Sequence, residues 1–173
     1  MIGSTKSHSK MTATVLREAY SPQASHHRLF RYGPVILWTA LIFIGSSDLL
    51  SASHTSSFLI RPLRLLFPSA SETTLNTIHF ALRKLGHFTE YAILASLAAR
   101  AFRTSSQPWL RQRWFWTALS FVIVYALFDE FHQSFVPQRS AHIEDIVIDA
   151  LSATAALGIW YIAQTGKRRE SET

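Results

Sequence analysis

The stretch Trp114-Phe115-Trp116-Thr117-Ala118-Leu119-Ser120-Phe121-Val122-Ile123-Val124-Tyr125-Ala126-Leu127-Phe128 runs without a charge and then meets Asp129-Glu130-Phe131-His132-Gln133. Continuous apolarity over this length suits a helix near the roughly 20 residues that cross a bilayer core. It does not alternate apolar with polar, as a strand of a membrane barrel does. A hydrocarbon solvent is therefore expected, with acid, histidine and amide groups at one end of the span.

Three other runs have the same character. The first is Pro34 to Ser46, followed by Ser47 and Asp48, with Pro34 suited to a first helical turn. The second covers roughly Leu75 to Phe102 and includes Arg83, Lys84, His87 and Glu90; the last covers about Ile143 to Ala163, before Lys167-Arg168-Arg169. Composition agrees: 48% of residues are hydrophobic and only 16% charged, below the quarter usual in soluble domains. The fold expected is all-α, an integral membrane bundle of four transmembrane helices. A broken apolar segment, Phe58 to Phe67 with Arg61, Pro62 and Arg64, is too interrupted to span and is expected to lie in the interface between helices 1 and 2.

The division expected is a disordered cytoplasmic tail over 1–31, a transmembrane domain over 32–164 and a cytoplasmic C-terminal tail over 165–173. A signal peptide competes for the first run, but its basic leader of about thirty residues is long for a signal, so a retained helix is expected. Net charge is +6 and the pI about 10.1. Lys and Arg sit between apolar runs rather than along one amphipathic face, so membrane lipids are the expected partner and nucleic acid is not. The chain has no cysteine, which excludes disulfides and thiolate chemistry.

Basic residues crowd three places: before the first run, between the second and third (Arg100, Arg103, Arg111, Arg113), and after the fourth. The other connections carry Arg61, Arg64 and Arg139. The positive-inside rule then puts both termini in the cytoplasm of a multi-pass membrane protein. The polar groups of all four helices meet at the outer level.

Helical spacing sorts these groups by face. Lys84, His87, Glu90 and Tyr91 fall within an arc of about 120°. Tyr125, Asp129, His132 and Gln133 share one face, with Glu130 turned about 100° from Asp129. Asp145, Asp149, Ser152 and Ala156 form a stripe of polar then small residues. Ionisable groups facing lipid cost ~2.5–3.5 kcal/mol each on insertion scales, so they are expected to face one another or a wet cavity.

Two kinds of site remain open on these residues. A structural network has Lys84 or Arg139 neutralising Asp129, Asp145 or Asp149. A functional one uses His87, Glu90, Asp129, Glu130 and His132 as catalytic candidates, and Lys84, Tyr91, Gln133, Arg139, Asp145 and Asp149 as ligand-binding ones. His87-x-x-Glu90 and Asp129-x-x-His132 also place metal-ligand types three apart, in an imperfect likeness to carboxylate di-metal bundles. The cofactor is left open, and no nucleophile elbow or phosphate loop is present.

Lys84-x-x-His87-Phe88-x-Glu90-Tyr91, then Asp129-Glu130-x-His132-Gln133-x-Phe135-x-Pro137-x-Arg139, then Asp145 and Asp149 resemble the VanZ-like family. The resemblance covers roughly Pro34 to Gly158. Gln138 stands where the family commonly has Gly, and Asp149 and Ser152 where it often has Asn and Gly. It implies a small bacterial multi-helix membrane protein. The founding member is associated with low-level teicoplanin resistance, and the family's reaction is not established. Three roles follow as expectations: binding a lipid-linked or cell-wall ligand at the outer leaflet, a membrane-embedded hydrolase or transferase on a lipid head group with or without metal, or a structural helix-interaction protein.

Overall fold

The computed structural model describes residues 22–47, 62–136 and 142–170, and within these every regular element is helical. They are α1 (Pro22–Ser46), α2 (Glu72–Arg103), α3 (Pro108–Gln112), α4 (Trp114–Gln133) and α5 (Ile143–Glu170), with a short helical turn at 62–66. Asp48, Arg61, Pro137, Gln138 and Arg139 lie outside the described residues.

The helix α2 is the hub, packing against α1, α4 and α5. Its N-terminus is capped by Ser71, whose hydroxyl accepts the Thr74 N–H at 3.2 Å. Arg64 of the preceding turn pairs with Glu72 there, while Leu65 and Leu66 stay exposed. Toward its other end α2 presents Ala95, Ala98, Ala99 and Ala101, all fully buried. Ala118 and Ala126 of α4 and Ala153 of α5 join the same core, and small side chains let helix backbones approach closely where lipid supplies no hydrophobic drive.

Contacts along α2 give the chain directions. Lys84 and Arg83 meet Asp145, His87 meets Asp149, and Arg103 lies over the Trp160 ring at 5.1 Å, so α2 and α5 run parallel. Tyr91 meets Asp129, Phe102 packs edge-on against Phe121 and Arg103 covers Trp114 at 5.4 Å, so α2 and α4 run antiparallel. Tyr32 bonds Ser105 at 3.0 Å and Trp38 donates to the Glu90 carbonyl at 2.9 Å, which sets α1 antiparallel to α2 as well.

Among the described residues three helices are long and apolar enough to cross a membrane: His27–Ser46, Trp114–Gln133 and Ile143–Gly166. The second run expected to span, in α2, falls below that hydropathy because it carries Arg83, Lys84, Glu90, Arg100 and Arg103. By composition, the described helices supply three of the four spans expected. Large apolar side chains such as Ile36, Val124, Phe131, Leu151 and Ile159 are more than half exposed, as lipid-facing positions are.

Two boundaries differ from expectation. α1 begins at Pro22, so Pro34 lies inside it rather than in its first turn, and part of the segment expected to be disordered is helical. α5 continues to Glu170, through residues expected to form a tail. A proline inside a helix leaves the carbonyl four residues earlier without its N–H partner. That carbonyl belongs to Phe30, and the Arg100 guanidinium donates to it at 3.4 Å. The neighbouring helix thus supplies what the proline withholds.

Arg100→Ala is expected to lower stability by ~1 kcal/mol, the scale of one lost hydrogen bond. Adding Pro34→Ala, which restores an N–H within α1, is expected to recover part of that loss. A double-mutant cycle on detergent unfolding midpoints measures the coupling.

Candidate functional site

The polar end of the bundle is assembled from one face of α2. Lys84, His87 and Tyr91 follow at i, i+3 and i+7 and therefore stack along one side of the helix. Each meets a carboxylate from a facing helix. Lys84 Nζ donates to Asp145 Oδ1, with Arg83 Nη2 3.6 Å from the second Asp145 oxygen. His87 Nδ1 lies 3.8 Å from Asp149 Oδ1, beyond hydrogen-bond length. The Tyr91 hydroxyl donates to Asp129 Oδ2 at 3.3 Å.

α4 and α1 close the arrangement. The Gln133 amide donates to the same Asp129 oxygen at 2.8 Å and to the Ser46 hydroxyl at 3.4 Å. Glu130 turns toward the start of α5, where its carboxylate accepts the His142 backbone N–H at 2.9 Å. Asp129, Glu130, Asp145 and Asp149 are all at most 5% exposed, and Gln133 is fully buried.

The supply of donors does not match these acceptors. Four buried carboxylates face two fixed cations, Arg83 and Lys84, together with His87. Asp129 Oδ1, Glu130 Oε1, Gln133 Oε1 and both Asp149 oxygens have no hydrogen-bond donor among the described residues. Burying polar oxygen without a donor costs ~1–3 kcal/mol each, more when charged. Among the described residues the cluster therefore has more buried acceptors than donors to meet them.

Lys84, His87, Tyr91, Asp129, Gln133, Asp145 and Asp149 come together as the spacing suggests, and Glu130 is buried beside them. Two candidates lie outside the buried set. Glu90 is exposed, because a further step of three residues beyond His87 turns it out of the interface. The His132 ring packs on Phe43 with centroids 4.3 Å apart, toward α1 rather than toward Asp129. The metal set His87, Glu90, Asp129 and His132 therefore does not converge, and among the described residues no group of three or more His, Asp or Glu side chains is placed to hold a metal ion. Arg139 lies outside the described residues, so its pairing with any carboxylate is not part of this geometry.

Arg83 was not singled out by spacing, although a second cation beside Lys84 in an apolar run is itself a signal. Ser152 is fully buried without disturbing the helix contact, because its hydroxyl folds back to donate to the Asp149 carbonyl at 2.9 Å.

A helical membrane protein with a buried ion-paired cluster at one end of its bundle is the class that this architecture defines. The model of the VanZ/LLP1 family matches residues 32–164, most of the chain, and the protein belongs to that family. No curated protein and no solved structure matches the chain.

Lys84→Met is expected to destabilise the protein by ~3–5 kcal/mol, since it strands the Asp145 charge with only a distant Arg83. The double variant Lys84→Met/Asp145→Asn is expected to be more stable than Lys84→Met alone. Thermal unfolding of the three proteins in one detergent measures the difference.

Proposed function

We propose that this VanZ/LLP1 protein crosses the bacterial inner membrane four times, with both termini in the cytoplasm, and binds a lipid-linked or cell-wall head group at the outer leaflet. Support for the fourth crossing comes from α2 itself. It lies along α5 from the Lys84–Asp145 pair to the Arg103–Trp160 contact, the same depth as the apolar window Ile143–Gly166. Sheltered by three neighbours, α2 need not be as apolar as a helix facing lipid. The orientation rests on Arg28, Arg31, Arg100, Arg103, Arg111 and Arg113 gathering at the end opposite the carboxylates.

The observation that carries the binding proposal is the set of buried oxygens on Asp129, Glu130, Gln133 and Asp149 that have no donor among the described residues. A partner for them presents hydroxyl, amide N–H or ammonium groups, as sugar and peptide head groups do. Lys84, His87, Tyr91, Asp145 and Asp149 form the rest of the proposed site, and Arg139 stays a candidate from the sequence alone. A role in teicoplanin tolerance follows from the family association alone. A structural reading is favoured by one specific feature, the pairing of buried Asp145 with Lys84 and, at 3.6 Å, with Arg83. In that reading the cluster only fixes helix register.

Asp129→Asn and Asp149→Asn separate the two. With lipid-linked cell-wall precursor extracted from bacterial membranes as probe, native mass spectrometry is expected to detect a complex with the wild type. Each variant is expected to lose it at least tenfold while keeping its unfolding midpoint within a few degrees. Unchanged precursor binding in both variants contradicts the binding role, and loss of fold ahead of any loss of binding favours the structural one.

A further inference from the structure

On the arginine side of the carboxylate cluster a cavity of about 390 Å³ opens between α1, α2 and α4, its inner limit at Tyr125, one turn from Asp129. Tyr32, Ile36 and Thr39 form a stripe down one side, and Phe102, Phe121 and Tyr125 form the opposite wall. Its volume falls in the range of small-molecule sites. From Tyr32 to Thr39 it runs about 10 Å along the helix axis at 1.5 Å per residue.

The polar atoms of the walls are all engaged elsewhere. The Tyr32 hydroxyl is bonded to Ser105, the Tyr125 hydroxyl donates to the Thr39 carbonyl at 2.5 Å, and the Thr39 hydroxyl donates to the Ile36 carbonyl at 2.8 Å. What remains is a hydrocarbon-lined slot. Ile36, 65% exposed, stands at its opening, so the slot faces the surroundings of the bundle rather than its core.

The mouth has a different character. Arg28 lies one turn before Tyr32 on the same stripe of α1, and Arg31 sits 5.9 Å from the Tyr32 ring. Arg100 reaches the Phe30 carbonyl beside them. No acid occurs in residues 22–47 or between Ala92 and Phe128, so these segments carry nothing that cancels the charges.

A chain of hydrocarbon below a negatively charged group matches both halves. We propose that the slot holds one acyl chain of an anionic phospholipid whose phosphate sits among Arg28, Arg31 and Arg100. The slot shares no lining residue with the carboxylate cluster, and an empty cluster leaves it intact. In the orientation proposed above it lies in the cytoplasmic leaflet, where anionic lipid attracts basic residues at the membrane surface.

The test uses the full chain reconstituted in vesicles of equal phosphatidylglycerol and phosphatidylcholine, then released for native mass spectrometry. The wild type is expected to retain phosphatidylglycerol well in excess of phosphatidylcholine. Arg28→Gln/Arg31→Gln is expected to lower that retention roughly 30-fold, the product of two surface cations. Ile36→Trp changes an exposed position, blocks the slot, and is expected to lower it while preserving helical circular dichroism. Equal retention of the two lipids by the wild type overturns the proposal, as does undiminished phosphatidylglycerol retention in both variants. A dimer that dissociates on Ile36→Trp assigns the slot to a second copy of the chain and overturns it too.

Discussion

Asp145 has no exposure to solvent, and the two cations that answer it, Lys84 and Arg83, come from consecutive positions on α2. A carboxylate this deeply buried needs partners of opposite charge, and their location dictates how the two helices meet. Once Lys84 faces Asp145, the helical repeat brings His87 opposite Asp149 and leaves Tyr91 to reach Asp129 across the other interface. The parallel register of α2 and α5 follows, and so does the alignment of Arg103 with Trp160 at the far end.

This register divides the molecule by charge. Described acids lie at the end marked by Glu72, Glu90, Asp129, Glu130, Glu144, Asp145 and Asp149, apart from Glu170 at the close of α5, while the opposite end carries arginine. Between the two lies an alanine-rich middle where small side chains permit close packing. The two ends consequently offer different chemistry: acceptor-rich and buried at one, cationic with an apolar slot at the other. The Arg100 contact with Phe30 also belongs to this second end, since it repairs the gap that Pro34 opens in α1.

Much of this was legible in the residues because lipid is a demanding solvent. Uninterrupted apolarity in Trp114 to Phe128 identified a helix of the right length, and the intervals 84, 87, 91 and 145, 149, 152 located two buried stripes. Spacing alone was too coarse to decide which member of a wider arc turns inward. Glu90 and His132 each lie three residues from a buried partner, yet one is exposed and the other packs on Phe43, because the interface admits a narrower arc than the sequence suggested. The start of α1 was missed for a different reason. Pro34 looked like a helix start, and only a donor from another helix, invisible to local pattern, makes it tolerable inside one.

The four-helix arrangement depends on α2 crossing the membrane in spite of its charges. Single-cysteine labelling tests this directly, with Thr73→Cys before the helix is well begun and Thr104→Cys just beyond its end, in a chain that has no native cysteine. An impermeant maleimide applied to intact spheroplasts is expected to label Thr73→Cys, whereas Thr104→Cys is expected to react only after the membrane is permeabilised. Labelling of both positions from the same side would mean that α2 does not cross, and would contradict the four-helix arrangement together with the outer placement of the carboxylates.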